Sequence, residues 1–169
     1  MRFTRMARVA LSLLALAGGG CADMQNGGHP SIGTEPPEIA AADWLHTDSP
    51  PTLASLRGQV VLVEFWATWC GPCVAGIPHL NELQSKYRAR GLRIVSLTDE
   101  DRATVDSFQK SAKSPIEYTV GIGSDGSAKY GVTGIPHAFV IGRSGKLLWH
   151  GHPADSDCEA RIEAALEEK

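Results

Sequence analysis

Two cysteines separated by two residues are the part of this sequence best suited to chemistry. Cys70 and Cys73 enclose Gly71 and Pro72, and they lie between an apolar run and a segment with helical periodicity. The N-terminus of a helix has unpaired N–H groups and a partial positive charge, and both stabilise a thiolate relative to a thiol. Because the thiolate is the species that attacks disulfides, this spacing at a strand-to-helix junction favours thiol–disulfide exchange.

An acidic residue precedes the cysteine pair inside the apolar run. Residues 60–66 are almost all β-branched or aromatic, which predicts a central strand buried on both faces, and Glu64 interrupts them. A buried carboxylate is costly unless it is protonated or paired. The residues leave two interpretations open: Glu64 ends the strand and meets solvent or a lysine, or it is a functional acid whose pKa is shifted by burial.

A proline opens another apolar strand far downstream. Residues 134–137 read Gly-Ile-Pro-His, and four apolar residues follow them. Proline cannot donate a hydrogen bond to a neighbouring strand, so within sheets it is confined to edges, strand starts and bulges. A cis Ile135–Pro136 bond at the strand start accommodates it, whereas a trans proline would indicate an edge strand.

The elements that must position these residues alternate between strand and helix patterns. After the strand over 60–66, the predicted elements are a helix between Cys73 and Gly91, a strand over 92–97, a helix over 99–112, a strand over 116–122 and a hairpin over 138–150. This alternation predicts a parallel sheet with helices packed on it. The hairpin adds an antiparallel pair of strands.

Composition limits the class of protein. The chain has 169 residues, 43% of them hydrophobic, and a net charge of −3, which is ordinary for a globular protein and argues against a nucleic-acid surface. Four cysteines are too few for a disulfide-rich scaffold. Cys158 falls on one helical face with Ile162 and Leu166, which predicts a buried and inert thiol.

The N-terminus has the pattern of a bacterial secretory signal. Arg2, Arg5 and Arg8 precede a short apolar run and three glycines, after which comes Cys21. The apolar run is shorter than the about 20 residues that a membrane-spanning helix needs. Small residues before a cysteine resemble a lipoprotein box, in which that cysteine becomes N-terminal and carries lipid. The lipoprotein box usually has a leucine-like residue three positions before the cysteine, where this chain has Gly18. The alternative is therefore ordinary signal-peptide cleavage, which would leave Cys21 as a thiol in the N-terminal tail.

Three segments are predicted along the chain. Residues 1–20 form a signal peptide of the lipoprotein type, and residues 43–169 form the folded domain. Between them, residues 21–42 are rich in Gly, Pro and small side chains and have few large apolar ones. Such a segment buries too little apolar surface to order itself, so we expect a flexible linker or tether.

Residues 66–73, Trp-Ala-Thr-Trp-Cys-Gly-Pro-Cys, resemble the active-site segment of thioredoxin-fold proteins. They are most similar to the extracytoplasmic TlpA/ResA-like thiol:disulfide oxidoreductases, and the resemblance extends roughly over residues 50–153. It implies an α/β, thioredoxin-like fold for residues 43–169, with a central mixed β-sheet flanked by helices and an N-terminal extension.

The resemblance also assigns roles to the residues around the cysteine pair. Cys70 would attack a partner disulfide and Cys73 would resolve the resulting mixed disulfide, while Glu64 beneath them moves a proton to or from Cys73.

A second set of residues would form the substrate groove. Trp69, Ile135 and Pro136 would frame it, and the backbone of Ile135 would hydrogen-bond to an extended segment of the substrate.

The function implied by the resemblance is the reduction of protein disulfides, for example in cytochrome c or copper-site assembly. Gly71 and Pro72 match the pair found in thioredoxin, whose reduction potential of about −270 mV makes it a reductant. No cofactor is implied, because the electrons move between sulfurs. A membrane thiol reductase would restore the dithiol, and lipid on Cys21 would hold the protein at a membrane, in the periplasm or cell envelope.

Two other functions stay open at this point. Cys70, Cys73 and His137 could hold Cu(I), which would make the protein a copper metallochaperone. Packing and hydrogen bonding beside the proline loop is the other role available to His137. A thiol peroxidase of the related peroxiredoxin group is a further alternative, which a single close cysteine pair fits poorly.

Overall fold

A six-stranded sheet forms the centre of the fold in a computed structural model that describes residues 28–168. The strands are β1 (Asp43–Leu45), β2 (Val60–Phe65), β3 (Leu92–Thr98), β4 (Thr119–Ile122), β5 (His137–Ile141) and β6 (Leu147–Gly151). The helices are α1 (Gly71–Tyr87), α2 (Arg102–Ser111), α3 (Gly126–Lys129) and α4 (Ser156–Glu167), and a short 3₁₀ turn (Arg88–Arg90) follows α1.

The sheet is mixed, as the sequence predicts. Its strands lie in the order β1-β4-β3-β2-β5-β6. The central strands β2, β3 and β4 run parallel, whereas β1, β5 and β6 pair antiparallel with their neighbours. This arrangement confirms an α/β fold of the thioredoxin-like type, with β2 in the middle of the sheet and α1 directly after it.

Side chains of β2 alternate between two hydrophobic cores on opposite faces of the sheet. Val60 and Leu62 belong to the first core, which α1 and α4 cover, whereas Val61 and Val63 belong to the second. Cys158 of α4 is fully buried in the first core, and burial raises the pKa of its thiol to about 12. The prediction that this thiol is buried is confirmed.

The N-terminal extension covers part of the second core. Ile39 is buried there, the Glu38 carboxylate accepts hydrogen bonds from the backbone of the 53–54 segment, and the Tyr130 hydroxyl donates to the Pro37 carbonyl at 2.6 Å. Residues 28–42 therefore pack against the domain, which differs from the expectation of an unordered tether over 21–42. Composition understates this order because one isoleucine and a few polar contacts suffice once a folded surface is present to receive them.

Several predicted elements begin later in the structure than in the sequence pattern. Helix α2 begins at Arg102, since the Asp101 side chain accepts a hydrogen bond from the Thr104 amide at 2.8 Å and caps the helix there. Strand β4 begins at Thr119, and the loop before it is held by Gln109, which bonds both the amide and the carbonyl of Ile116.

The predicted signal peptide and Cys21 lie outside the described residues. Within residues 28–168, no helix is both long enough and apolar enough to span a bilayer.

Candidate active site

Cys70 and Cys73 form a disulfide at the junction of β2 and α1. Their sulfurs are 1.98 Å apart, and Cys70 is the N-cap residue of α1. The backbone N–H of Cys73 donates a hydrogen bond to the Cys70 sulfur at 3.2 Å. Gly71 and Pro72 form the first turn of the helix, where a missing proline N–H costs nothing. The helix N-terminus is therefore directed at the Cys70 sulfur, where it stabilises negative charge after reduction.

The disulfide is largely shielded, and a groove opens beside it. Cys70 is 4% and Cys73 is 2% exposed, whereas the neighbouring Trp69 is 74% exposed. The groove has a volume of about 400 Å³, and Trp69 and Ile135 both line it. The Ile135–Pro136 bond that borders the groove is cis, as the sequence predicts. The structure thus brings together the residues predicted to frame a substrate groove.

Glu64 is buried on the face of the sheet that α1 covers. Along β2 its side chain lies on the same face as Val60 and Leu62, which belong to the first core. That core also contains Cys73. Glu64 is 2% exposed, and the Ser96 hydroxyl donates a hydrogen bond to its carboxylate. Within residues 28–168, no basic side chain forms an ion pair with Glu64. The interpretation as a solvent-facing or lysine-paired residue at a strand end is therefore wrong.

Burial without a cation changes the acidity of Glu64. Desolvation raises its pKa to about 7, and the Ser96 hydrogen bond acts in the opposite direction. A carboxyl group with a pKa near neutrality can both take up and release protons under physiological conditions.

Tyr118 joins Glu64 and Ser96 in a buried polar cluster. Burial and then the Glu64 carboxylate raise the pKa of the Tyr118 hydroxyl well above its usual range, while a hydrogen bond with Ser96 lowers it. Sequence reasoning missed Ser96 and Tyr118. The only available signal was that Ser96 interrupts an otherwise apolar alternation in β3.

A second carboxylate fixes the turn that leads into Cys70. Glu100 accepts hydrogen bonds from the Thr68 amide at 2.7 Å and from the Thr68 hydroxyl at 2.6 Å. It also accepts one from the Thr98 hydroxyl at 3.2 Å. Because Thr68 lies two residues before Cys70, Glu100 holds the backbone of the active-site turn. Sequence reasoning missed this residue as well, since nothing near it in the chain marks the contact.

His137 lies beside other histidines rather than beside the cysteines. It pairs with Phe65 in the sheet and packs against Phe139 of the second core, the core on the face opposite α1. Its Nε2 atom is 3.2 Å from Nδ1 of His150, and its ring stacks on that of His29. Burial, and then the neighbouring histidines, lower the pKa of His137 to about 4.

Comparison with known proteins identifies the family. The family model described as Redoxin matches residues 32–166, which is most of the chain. The chain belongs to the redoxin family. It is similar to the thiol-disulfide oxidoreductase ResA of Bacillus thuringiensis subsp. konkukian, with 32% identity over 118 residues that cover 69% of this chain and 67% of that protein. ResA of Bacillus anthracis is 35% identical over 120 residues, with the same coverage of 69% and 67%.

A solved structure extends the similarity of this redoxin to three dimensions. The crystal structure of a protein described as the thiol:disulfide interchange protein DsbE from Chlorobium tepidum aligns with a TM-score of 0.66 at 35% sequence identity. The alignment covers 80% of this chain and 98% of that one.

These similarities confirm the resemblance to TlpA/ResA-like proteins that the sequence indicates. The redoxin is a thiol:disulfide oxidoreductase, and the Cys70–Cys73 disulfide is its redox-active group. Trp69 of the groove lies at the surface directly before Cys70, whereas Glu64 lies in the core on the face that α1 covers.

Proposed function

We propose that this redoxin reduces disulfides of other proteins outside the cytoplasm by exchange through a mixed disulfide. In the reduced enzyme, the Cys70 thiolate attacks a partner disulfide, and one partner sulfur leaves as a thiolate. Cys73 then attacks the Cys70 sulfur of the mixed disulfide. The partner is released with two thiols, and Cys70–Cys73 returns to the disulfide form. Two electrons pass from enzyme to partner, and no cofactor takes part.

The observation that best supports these roles is the 3.2 Å hydrogen bond from the Cys73 amide to the Cys70 sulfur. It places a helix N-terminus against Cys70, so negative charge is more stable on Cys70 than on Cys73, which has no equivalent capping position. Cys70 is also adjacent to the exposed Trp69. We therefore assign Cys70 as the attacking sulfur and Cys73 as the resolving sulfur.

Glu64 is proposed as the proton acceptor for Cys73. The resolving thiol must lose a proton before it attacks, and it is buried where water is scarce. A carboxyl group whose pKa is raised to about 7 accepts that proton more readily than an ordinary surface carboxylate does. Glu64 shares the first-core face of the sheet with Cys73, which supports the assignment.

The groove is proposed to bind an extended segment of the partner protein. Trp69 and Ile135 supply apolar surface, and Pro136 fixes the loop between them and β5. The peptide groups around Ile135 would align the partner backbone through hydrogen bonds.

The direction and location of the reaction are further parts of the proposal. Gly71 and Pro72 favour a thioredoxin-like potential of about −270 mV over the about −120 mV of a strong oxidant. The relatives are named ResA and DsbE, and the N-terminal pattern indicates export. We infer a reductant in the periplasm or cell envelope, attached through lipid on Cys21 and recharged by a membrane thiol reductase. Its clients would be proteins such as those of cytochrome c or copper-site assembly.

The exchange mechanism is tested with variants of the two cysteines. The reduced protein should reduce insulin, Cys70→Ser should abolish the reaction, and Cys73→Ser should accumulate a mixed disulfide that reducing gels resolve. We expect Cys73→Ser to trap the partner through Cys70. We expect Cys70→Ser to trap no partner through Cys73. Equal trapping by both variants would overturn the assignment of roles.

The location is tested separately by fractionating cells that express the full chain. Mass spectrometry should find a diacyl or triacyl adduct on Cys21 in the membrane fraction, and Cys21→Ser should release the protein. A mature chain that is soluble and begins before Cys21 would contradict the anchor while leaving the exchange chemistry intact.

A further inference from the structure

Three histidines from separate segments of the chain meet at the edge of the second core. His29 comes from the N-terminal extension, His137 opens β5 and His150 lies in β6. One ring nitrogen of each lies within 4.8 Å of the others, and all three side chains are partly buried. Among residues 28–168, this is the only group of three or more side chains of metal-binding type at such distances.

The spacing of these nitrogens fits coordination of a single ion. Two imidazole nitrogens bound to one tetrahedral ion at about 2.0–2.1 Å lie about 3.3 Å from each other. His137 Nε2 and His150 Nδ1 are already 3.2 Å apart. The ligand nitrogen of His29 lies within 4.8 Å of both.

A backbone contact sets the tautomer of His29. Its Nδ1 atom is 3.0 Å from the Tyr130 carbonyl oxygen, which only accepts hydrogen bonds, so Nδ1 bears the proton and donates. The Nε2 atom of His29 consequently keeps a free lone pair. Histidines that bind metals usually donate their other nitrogen to a carbonyl or carboxylate in this way, which fixes ring orientation and raises ligand basicity.

A phenylalanine of the second core packs against all three imidazole rings. The Phe139 ring lies 5.0–5.6 Å from all three imidazoles and covers the core side of the cluster.

We propose that His29, His137 and His150 form a binding site for one divalent transition-metal ion of the zinc and copper class. Three neutral imidazoles suit Zn(II), Cu(II) or Ni(II), whereas Ca(II) and Mg(II) prefer oxygen ligands. Three protein ligands leave a fourth position for water or an external ligand. His152 is nearby, but its Nδ1 accepts a hydrogen bond from the Ala154 amide at 3.1 Å, so it is not assigned as a ligand.

The site is distinct from the redox-active disulfide and from any site that uses its thiolates. It uses no sulfur ligand, so it forms in the oxidised enzyme, and it lies on the sheet face opposite α1. A bound ion would tie the N-terminal extension to β5 directly after Pro136.

The test is titration of the oxidised full chain with Zn(II), with Cys21→Ser in all samples to remove a tail thiol. Calorimetry at pH 7 should give one ion per chain. His29→Ala, His137→Ala and His150→Ala should each weaken binding at least about 100-fold, because each removes a ligand rather than an outer partner. His79→Ala removes a histidine of α1 far from the cluster in sequence and should bind Zn(II) as the parent does.

Two readouts keep the test independent of activity and of folding. Co(II) should give the visible absorption bands of a tetrahedral site, and Zn(II) should raise the Tm of the parent but not of the three variants. His29→Ala lies outside the sheet, so its fold is the least affected. Unchanged Zn(II) affinity in His29→Ala, or less than one equivalent bound by the parent, would overturn the proposal. The disulfide stays intact throughout, so neither outcome bears on the exchange mechanism.

Discussion

Glu64 and Ser96 are register partners in the parallel strands β2 and β3, and the Ser96 hydroxyl donates a hydrogen bond to the Glu64 carboxylate inside the core. This contact gives the acid one polar partner but no cation. The result is a carboxyl group that burial keeps protonated up to about pH 7. Stability and reactivity should both depend on that single proton.

The free energy of unfolding of the oxidised protein should fall as pH rises from about 4.5 to about 7. In this range Glu64 is ionised in the unfolded chain but still protonated in the folded one. The unfolded side chain titrates near 4.5 and the folded one near 7. Between these values the folded state binds the extra proton, so the free energy of unfolding declines with rising pH and the loss is complete above about pH 7. The shift corresponds to roughly 3 kcal/mol between pH 4.5 and pH 8.

This prediction is checked by urea unfolding at a series of pH values with the disulfide intact. Glu64→Gln keeps the side-chain volume and cannot ionise, so its pH profile should lack this decline. The difference between the two profiles isolates Glu64 from other titrating groups. Parallel profiles for the parent and Glu64→Gln would show that Glu64 does not titrate in this range.

Ser96→Ala should move the pH dependence of exchange towards higher pH. The hydroxyl stabilises the ionised form of Glu64, so its removal raises the pKa of Glu64 further above 7. A hydrogen bond to a charged group justifies a shift of about one pH unit. The measurement is the rate of insulin reduction against pH, with the exposed Ser111→Ala as the matched control. If the midpoint of this pH–rate profile were the same in Ser96→Ala as in the parent, Glu64 would not be the group that transfers the proton.

The sequence was sufficient for those features that depend on a short stretch of chain. The spacing of Cys70 and Cys73 after an apolar strand predicted the helix junction, and the proline before an apolar strand predicted the cis bond at Pro136. Glu64 stands out because it interrupts the apolar strand that precedes the cysteines. In each case the physical constraint acts between neighbours in the chain.

Features that depend on strand register could not be predicted in the same way. Ser96 meets Glu64 only because β2 and β3 pair in one register, and Glu100 reaches Thr68 only because β3 ends beside the turn after β2. The sequence pattern places His29 in a tether, whereas its contact with His137 requires the extension to fold back over the second core. Apart from the polar Ser96 within an apolar strand, a single sequence contains no local signal for these contacts.

Glu100→Ala should destabilise the protein and slow exchange at Cys70. The carboxylate is the acceptor for both the amide and the hydroxyl of Thr68, and its loss leaves a partly buried amide without that partner. We expect a loss of about 1–3 kcal/mol in the free energy of unfolding. Urea unfolding and insulin reduction measure the two effects. Glu117→Ala changes an exposed carboxylate elsewhere and should alter neither quantity, so equal behaviour of the two variants would refute a positioning role for Glu100.

Trp69→Ala should impair reaction with protein substrates while leaving reaction with small thiols nearly unchanged. Trp69 is 74% exposed, so its removal creates no core cavity, and stability should change by less than about 0.5 kcal/mol. Its ring lines the groove of about 400 Å³ together with Ile135, so a partner segment loses apolar contact area when the ring is removed. Loss of one large aromatic contact justifies a decrease in kcat/KM of about tenfold or more for insulin.

The matched measurement for Trp69→Ala is the rate at which dithiothreitol reduces the Cys70–Cys73 disulfide. A small dithiol needs access to the sulfur but no extended groove, so this rate should stay within about twofold of the parent, because the helix N-terminus that stabilises Cys70 is intact. If both rates fell together, Trp69 would act on the sulfurs themselves. If neither fell, partner proteins would approach the disulfide from a surface other than this groove.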